Sequence, residues 1–318
     1  MMRLPKDSFR WISSIDFDVD AYRIASGDRK NEEWFLFIVV KSRGLSGNEG
    51  FLRSVIGRFK AGRVVAVGGA LKLGRESKPF KALFIDAKEQ VAPAEFWAVE
   101  AGLKFRLETE EVLNPGLFLD QKKNRERLRA LISQSPLLQE ANEHKGFLNL
   151  FSYTGAFSIA ALAAGARRST SVDLSKRYLG WEKRNYNENK TTDFGEHRLI
   201  NEDARDFLKK AQKRGDRYAW IVLDPPTFSR GKRVFKVRDD LIPLVESAYS
   251  CLTRGGAMLV STNDSGWPTD LFNSEMKALA RRLRVRLEGG EVSQPLEEDL
   301  SHAAGANSPG LKSVWLLA

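Results

Sequence analysis

The chain has few of the side chains from which disulfides and metal centres are built. It contains a single cysteine, Cys251, so neither an intramolecular disulfide nor a cysteine zinc cluster can form. Its three histidines, His144, His197 and His302, lie far apart, without the spacing of zinc ligands. These absences exclude a disulfide-stabilised scaffold, argue against a zinc hydrolase and predict a protein without a metal.

Long apolar runs are also absent. No run approaches the 18 residues that a membrane-spanning helix needs. The first residues lack the apolar stretch of a signal peptide. Together with the single cysteine, this favours a protein of the reducing cytoplasm that does not contact a membrane.

Basic side chains outnumber acidic ones in the middle of the chain. The formal net charge is +10, and residues 117–240 hold 25 basic against 16 acidic groups, nearly all of the excess. Concentrated positive charge favours a polyanionic partner such as nucleic acid. On charge alone, a basic surface that only aids solubility is an equal alternative.

The pattern of strand and helix signals changes near residue 116. Before it, β-branched and aromatic runs at 33–40, 63–67 and 81–86 predict strands, with a short helix at 49–60. After it, strands alternate with helices, which is typical of a parallel sheet with crossover helices. The 318 residues therefore predict an α/β protein of two domains. We expect a small α+β domain at 1–110 and a larger α/β domain at 111–318.

The first strand-to-helix junction of the larger domain carries a candidate site. An apolar strand at 146–151 is followed by Ser152, Thr154 and Gly155. Ligands of such sheets bind outside the carboxyl ends of the strands, where Gly155 lets a ligand approach the backbone closely. The next strand ends at Asp173, which is placed to accept hydrogen bonds from ribose hydroxyls. Capping of the following helix is the alternative role for this aspartate.

Phosphate-binding motifs are missing from this junction. The sequence has neither G-x-G-x-x-G nor G-x-x-x-x-G-K-[ST], which argues against a dinucleotide or a nucleoside triphosphate. S-adenosylmethionine needs a ribose acceptor but no phosphate cradle. Asp203, after the third strand, is placed to meet an adenine amino group. Helix capping is again the alternative.

The fourth strand ends in Asp224-Pro225-Pro226-Thr227-Phe228. Two prolines fix the backbone and remove N–H donors, so carbonyl groups face the cleft. An acid, free carbonyls and an aromatic ring form a floor for a planar, amine-bearing base, on which Phe228 can stack. A turn that is merely stiffened by proline is the alternative.

These segments carry a family resemblance. The chain resembles class I S-adenosylmethionine-dependent methyltransferases of large-subunit rRNA, and above all the guanine-N7 methyltransferase half of the bifunctional bacterial 23S rRNA enzyme. The similar runs are Gly116–Asp120, Phe147–Gly155, Ser171–Ser175 and Asp224–Ser229. The resemblance implies a Rossmann-like domain with a seven-stranded sheet, preceded by a small α+β domain that binds RNA.

The resemblance also implies the roles of individual residues. The cofactor S-adenosylmethionine would contact Phe118, Asp120, Asn149, Ser152, Tyr153, Thr154, Gly155, Asp173, Leu174, Asp203, Ala204 and Asp224. The target base would lie against Asp224, Pro225, Pro226 and Phe228. Within these sets, 149–155 borders the methionine part, Asp173 the ribose and Asp203 the adenine.

The position of the cysteine bears on which base atom is methylated. Methylation of cytosine C5 needs a thiolate nucleophile near the base. Apolar spacing instead predicts a helix at 239–252 that stops at Gly255-Gly256, with Cys251 as a small buried hydrophobe beside its apolar face. Guanine N7 has a lone pair and no proton, so positioning alone can suffice.

Residues 228–238 interleave aromatic side chains with five basic ones: Arg230, Lys232, Arg233, Lys236 and Arg238. Such a segment suits a single-stranded or flipped-out RNA loop. The sequence thus favours a cytoplasmic rRNA guanine-N7 methyltransferase. Methylation of another acceptor (cytosine C5, another guanine atom or a protein) and a non-catalytic RNA-binding protein on the same fold are the alternatives.

Overall fold

The computed structural model describes the chain except for residues 1–8, 13–18, 26–32, 41–62, 74–75, 84–94, 109–115, 139–145, 191–193, 230–233, 265 and 293–310. The chain divides into two compact units, Met1–Leu119 with Pro295–Ser308 and Asp120–Gln294 with Pro309–Ala318. The predicted helix at 49–60 lies outside the described residues. No described helix is both long and apolar enough to cross a membrane.

The first unit contains a five-stranded sheet and a separate hairpin. Strands β1 to β5 follow one another in the sheet, and β6 pairs with β7. Their bounds are β1 Phe9–Ile12, β2 Val19–Ala25, β3 Glu33–Val40, β4 Arg63–Leu73, β5 Glu76–Leu83, β6 Glu95–Glu100 and β7 Leu103–Glu108. The predicted strand at 81–86 is wrong in its start, because β5 begins at Glu76 and includes Pro79. Proline is tolerated there because β5 is an edge strand.

The second unit is built from a seven-stranded sheet covered by helices. The helices are α1 Lys122–Ser133, α2 Ala156–Ala163, α3 Lys176–Asn189, α4 Ala204–Lys213, α5 Val237–Tyr249 and α6 Thr269–Leu283. The strands are β8 Phe147–Leu150, β9 Arg168–Asp173, β10 Glu196–Asn201, β11 Tyr218–Leu223, β14 Leu252–Thr262, β15 Arg286–Val292 and β16 Lys312–Leu317. A short hairpin of β12 Phe228–Ser229 and β13 Phe235–Lys236 follows β11.

The strand order of this sheet places the site. The order is β10-β9-β8-β11-β14-β16-β15, with the first five strands parallel and β16 antiparallel to both of its neighbours. The chain runs outward from β8 to β10 on one side and from β11 to β14 on the other. The crevice where the order reverses therefore lies between the carboxyl ends of β8 and β11, which is where such sheets bind ligands.

The central strands are buried on both faces. Trp220 and Val222 of β11 pack with Leu128 of α1 and Phe157 of α2, while Leu223 lies in the cluster on the other face. That second cluster includes side chains of α4, α5 and α6. The alternation explains why β11 reads as a continuous apolar run rather than as a polar–apolar repeat.

The predicted helix at 239–252 ends earlier in the structure. Helix α5 ends at Tyr249, and β14 begins at Leu252 and contains both Gly255 and Gly256. Cys251 is fully buried, as expected, but it lies in the link between the two elements. Its carbonyl oxygen accepts a 2.8 Å hydrogen bond from the Tyr218 backbone N–H, which attaches this link to β11.

Candidate active site

The turn between β8 and α2 is held in an unusual backbone conformation. Phe151, Tyr153 and Gly155 have φ angles of 62°, 53° and 79°. Only glycine adopts this left-handed region at little cost, so the surroundings must hold Phe151 and Tyr153 there. The N–H groups of Phe151 and Ser152 donate to the Val172 carbonyl oxygen at 2.9 and 3.2 Å.

Asp173 lies directly against this turn. Its Oδ2 accepts a 3.0 Å hydrogen bond from the Tyr153 N–H, and its Oδ1 accepts one of 2.8 Å from the Ser175 N–H. Burial raises the pKa of the Asp173 carboxyl, against the opposing effect of these two hydrogen bonds. A carboxylate has about four acceptor positions, so the two that remain would match the contacts predicted for ribose hydroxyls. The N-cap of α3 is Ser175, so the capping alternative for Asp173 is wrong.

Asp203 behaves differently from Asp173. It is the N-cap of α4, and its Oδ1 accepts a 2.8 Å hydrogen bond from the Arg205 N–H. The Arg205 guanidinium also donates two hydrogen bonds to the Asp203 carboxylate, from Nε to Oδ1 at 3.0 Å and from Nη2 to Oδ2 at 2.8 Å. Helix capping is therefore confirmed as a role of Asp203. An additional contact with adenine would have to be made by the same carboxylate that accepts hydrogen bonds from Arg205. Ala204 next to it is buried.

Asp224 ends a chain of polar side chains at the carboxyl edge of the sheet. Its Oδ1 accepts a 2.7 Å hydrogen bond from the Ser261 hydroxyl, which accepts one of 3.1 Å from the Gln121 amide. Asn124 donates in turn to the Gln121 Oε1 at 2.7 Å. Burial raises the pKa of the Asp224 carboxyl to about 6, with Asp120 adding repulsion and Ser261 opposing the rise. The carboxyl therefore titrates close to neutral pH.

The residues after Asp224 form one wall of the crevice. Pro225 is buried and Pro226 is exposed. Thr227 donates its hydroxyl proton to the Asn263 Oδ1 at 3.1 Å. Phe228 is 49% exposed, which is unusual for a large aromatic residue.

The basic stretch after Phe228 is described only in part. Arg230, Lys232 and Arg233 lie outside the described residues. Lys236 is exposed, as a phosphate contact requires. Arg238 instead packs over the Trp267 ring at 5.5 Å and donates to the Gly266 carbonyl oxygen, so its guanidinium already has partners within the fold.

Two predicted cofactor residues precede the others in the chain. Asp120 lies in a 3-10 turn, Leu119–Gln121, and is close enough to Asp224 to repel its carboxylate. Phe118 falls in the first compact unit, so its contact with a cofactor stays a prediction. Leu174, which follows Asp173, is 44% exposed and offers an apolar surface there.

Sequence reasoning missed a polar network beneath the turn. The Asn149 amide donates to the Ser158 hydroxyl at 2.9 Å, and Ser158 and Ser171 share a hydrogen bond of 2.7 Å. Ser171 donates to Glu182 on α3. Polar residues on the apolar faces of α2, β9 and α3 were the available signal, but only the packing shows that these faces meet.

Known methyltransferases share this fold. The SMU.776 protein, solved in complex with S-adenosylhomocysteine, aligns over 98% of this chain and 75% of its own with a TM-score of 0.75 and 22% identity. An S-adenosylmethionine-dependent methyltransferase from Agrobacterium tumefaciens aligns over 98% of this chain and 89% of its own, with a TM-score of 0.66 and 20% identity. At these identities the likeness establishes the fold.

Curated relatives are more similar in sequence. The ribosomal RNA large subunit methyltransferase K of Neisseria meningitidis is 35% identical over 188 residues, 58% of this chain and 50% of its own. The methyltransferase K/L of Ectopseudomonas mendocina is 36% identical over 72% of this chain and 28% of its own. The chain thus spans about half, or less, of the length of these relatives. The family model of S-adenosylmethionine-dependent methyltransferases matches residues 68–308, so the chain belongs to that family and its methyl donor is S-adenosylmethionine.

Proposed function

We propose that this enzyme methylates N7 of a guanine in large-subunit ribosomal RNA. The observation that carries the proposal is the Asp224–Phe228 segment, in which an acid and a half-exposed aromatic ring follow β11 at the crevice where the strand order reverses. The names of the curated relatives and the resemblance to the guanine-N7 enzyme support the same substrate.

The residues around the β8–α2 turn fit the cofactor. Asp173 retains acceptor positions for the ribose. Gly155 has no side chain, so the cofactor can approach the backbone closely there. Leu174 supplies an apolar surface beside the adenine. Bound there, S-adenosylmethionine supplies an electrophilic methyl group on a sulfonium sulfur. The predicted cofactor residues Asn149, Ser152, Tyr153 and Thr154 belong to the same turn or to the strand before it.

The acceptor side needs little acid–base chemistry. Guanine N7 presents a lone pair without a proton, so no residue has to remove one. The base becomes cationic as it is methylated, and an ionised Asp224 beside it would stabilise that charge. Phe228 would hold the base by stacking, and Pro225 and Pro226 would fix the carbonyl groups that face it.

The structure gives no support to cytosine C5 chemistry among the described residues. Cys251 is fully buried, and burial raises the pKa of its thiol, which disfavours the thiolate that such a reaction requires. Its side chain belongs to the apolar cluster with Leu241 and Met258. The cysteine is therefore a packing residue in this proposal.

The RNA partner would be bound by two parts of the chain. Residues 1–110 would form an RNA-binding domain, and 111–318 the methyltransferase domain. Exposed Lys236 and the basic residues before it would contact phosphates beside the base. With an rRNA substrate, the enzyme would act in the cytoplasm.

The direct test is mass spectrometry of nucleosides from rRNA of cells with and without this protein. The proposal expects 7-methylguanosine to fall by one residue per large subunit when the gene is deleted, and purified enzyme to restore it in vitro. Loss of 5-methylcytidine or of another methylguanosine would contradict it.

Replacing Asp173 with alanine should weaken S-adenosylmethionine binding at least about tenfold. The change removes charge-assisted hydrogen bonds to the ribose, each worth about 1.5–3 kcal/mol, and also frees the Tyr153 N–H. Titration calorimetry measures the effect, with Asp239→Ala at an exposed position of α5 as the control. An unchanged affinity would remove Asp173 from the ribose site.

Replacing Cys251 with alanine should leave methyl transfer nearly intact and lower the free energy of unfolding by about 1 kcal/mol, because a small buried side chain is lost. Denaturant unfolding and single-turnover methylation measure the two effects. A covalent adduct with 5-fluorocytosine RNA that disappears in this variant would overturn the guanine assignment.

A further inference from the structure

A fully buried carboxylate lies beneath the candidate cofactor turn and has no role in the chemistry described so far. Glu182 of α3 has 0% of its surface exposed. Its Oε2 accepts a 2.8 Å hydrogen bond from the Ser152 hydroxyl, and its Oε1 accepts one of 2.5 Å from the Ser171 hydroxyl. His197 Nε2 lies 3.2 Å from the same Oε1. Burying a carboxylate without such partners costs free energy, so a buried carboxylate at this position indicates a structural or functional role.

The same side chain defines the space next to Gly155. A Cβ atom added to Gly155 would collide with Cγ, Cδ and Oε1 of Glu182. The carboxylate thus touches the turn at Ser152 through a hydrogen bond and at Gly155 through close packing. One helical turn later, the Asn185 amide donates to the Thr154 carbonyl oxygen at 3.0 Å. Helix α3 therefore contacts the turn at Ser152, Thr154 and Gly155.

The backbone of the turn explains what this anchoring achieves. Phe151 and Tyr153 are held in the left-handed region, which disfavours residues with a side chain. In this conformation the Tyr153 N–H donates to Asp173 and the Ser152 hydroxyl donates to Glu182. Without the buried anchor, the strained turn would relax, and the acceptor groups for the cofactor would no longer be preorganised.

We propose that Glu182 is a positioning residue for S-adenosylmethionine, which holds the Phe151–Gly155 turn in its binding conformation through Ser152. It touches neither cofactor nor substrate in this role. The inference rests on the proposed assignment of the turn to the cofactor, but not on the identity of the methylated base.

The test is calorimetric titration of the full chain with S-adenosylmethionine alone. Glu182→Ala should raise the Kd about tenfold or more, and Glu182→Gln, which keeps one acceptor oxygen, should recover most of the affinity. In turnover with RNA, KM for the cofactor should rise in Glu182→Ala while kcat and the KM for RNA change little. A merely structural role would not produce this selective effect on one substrate.

Two further variants separate anchoring from stability. Leu179→Ala truncates a buried residue of the same helix, so it should lower the melting temperature while leaving the Kd unchanged. Ser152→Ala breaks the anchor from the side of the turn, which keeps the test possible if Glu182→Ala does not fold. If Ser152 and Glu182 act through each other, Ser152→Ala combined with Glu182→Ala should cost no more affinity than the larger single effect.

The Asp173 and Glu182 variants together distinguish a missing role for Glu182 from a wrong assignment of the turn to the cofactor. If Asp173→Ala loses affinity while a folded Glu182→Ala binds with wild-type Kd, or if the two changes in the double variant add, Glu182 has no positioning role. If Asp173→Ala also binds normally, the turn is not the cofactor site and the inference falls with it. Neither result depends on which nucleoside the enzyme methylates.

Discussion

Asp224→Asn should lower the rate of methyl transfer about 10²-fold, because a neutral amide cannot stabilise the positive charge that the methylated guanine gains. The amide retains the size of the side chain and a partner for the Ser261 hydroxyl, so the crevice keeps its shape. In the wild-type enzyme, the rate should fall as the pH drops below about 6, where this carboxyl becomes protonated. Single-turnover rates across pH 5–8 measure both effects.

The same substitution should stabilise the protein. The pKa of Asp224 is about 6 in the folded state against an ordinary 3.8, so the folded state holds this proton more tightly than the unfolded chain. Stability from this group is therefore full below about pH 4 and is lost as the pH rises to about 6. Asp224→Asn removes that loss and should raise the free energy of unfolding by about 1–3 kcal/mol at neutral pH, and by little at pH 4.

Urea unfolding at pH 4 and pH 7.5 tests the stability effect. Glu126→Gln provides a control, because it removes a carboxylate from the exposed side of α1. A variant that is inactive but no more stable at pH 7.5 would show that the Asp224 carboxylate is not strained by burial. A fully active variant would remove Asp224 from the proposed mechanism.

Gly155→Ala should abolish measurable S-adenosylmethionine binding and destabilise the protein by several kcal/mol. Its φ of 79° costs an alanine about 1–2 kcal/mol. Its Cβ would also collide with the buried Glu182 side chain, and such overpacking costs about 1–3 kcal/mol. Displacing the carboxylate would break its hydrogen bonds to Ser152 and Ser171.

A second glycine separates the two contributions. Gly215 has a φ of 69°, but nothing lies within 4 Å of the position where a Cβ would be added. Gly215→Ala should therefore show the cost of the backbone conformation alone and leave cofactor affinity unchanged. Equal losses of stability in the two variants, measured by chemical unfolding, would show that the Gly155 Cβ does not collide with Glu182.

The α/β fold was predictable because its local signals agree with its packing. Strand β11 is a buried apolar run whose last residue, Leu223, directly precedes Asp224-Pro225-Pro226. Gly255 and Gly256, which are typical of a helix stop, instead lie inside strand β14. In the structure Gly256 lies so close to the Ala219 carbonyl oxygen of β11 that a Cβ would not fit, which is a tertiary reason for a glycine.

The site was predictable in outline but not in its supporting contacts. Asp173 and Asp203 each precede a helix, so the sequence offered the same pair of roles for both. The structure distinguishes them, because Ser175 replaces Asp173 as the cap while Arg205 engages Asp203. Glu182 and Gln121 are far from their partners in the chain, and no local pattern reveals contacts between Gln121 and Ser261.

The position of β16 in the sheet has a consequence for the order of synthesis. This strand is inserted between β14 and β15, both of which precede it in the chain. Because synthesis runs from the amino to the carboxyl end, β14 and β15 are made before the strand that joins them. Until residues 312–317 emerge, both strands expose unpaired edges that can pair with other chains. The edges of β14 and β15 that face each other are therefore paired only after the rest of this sheet has been made.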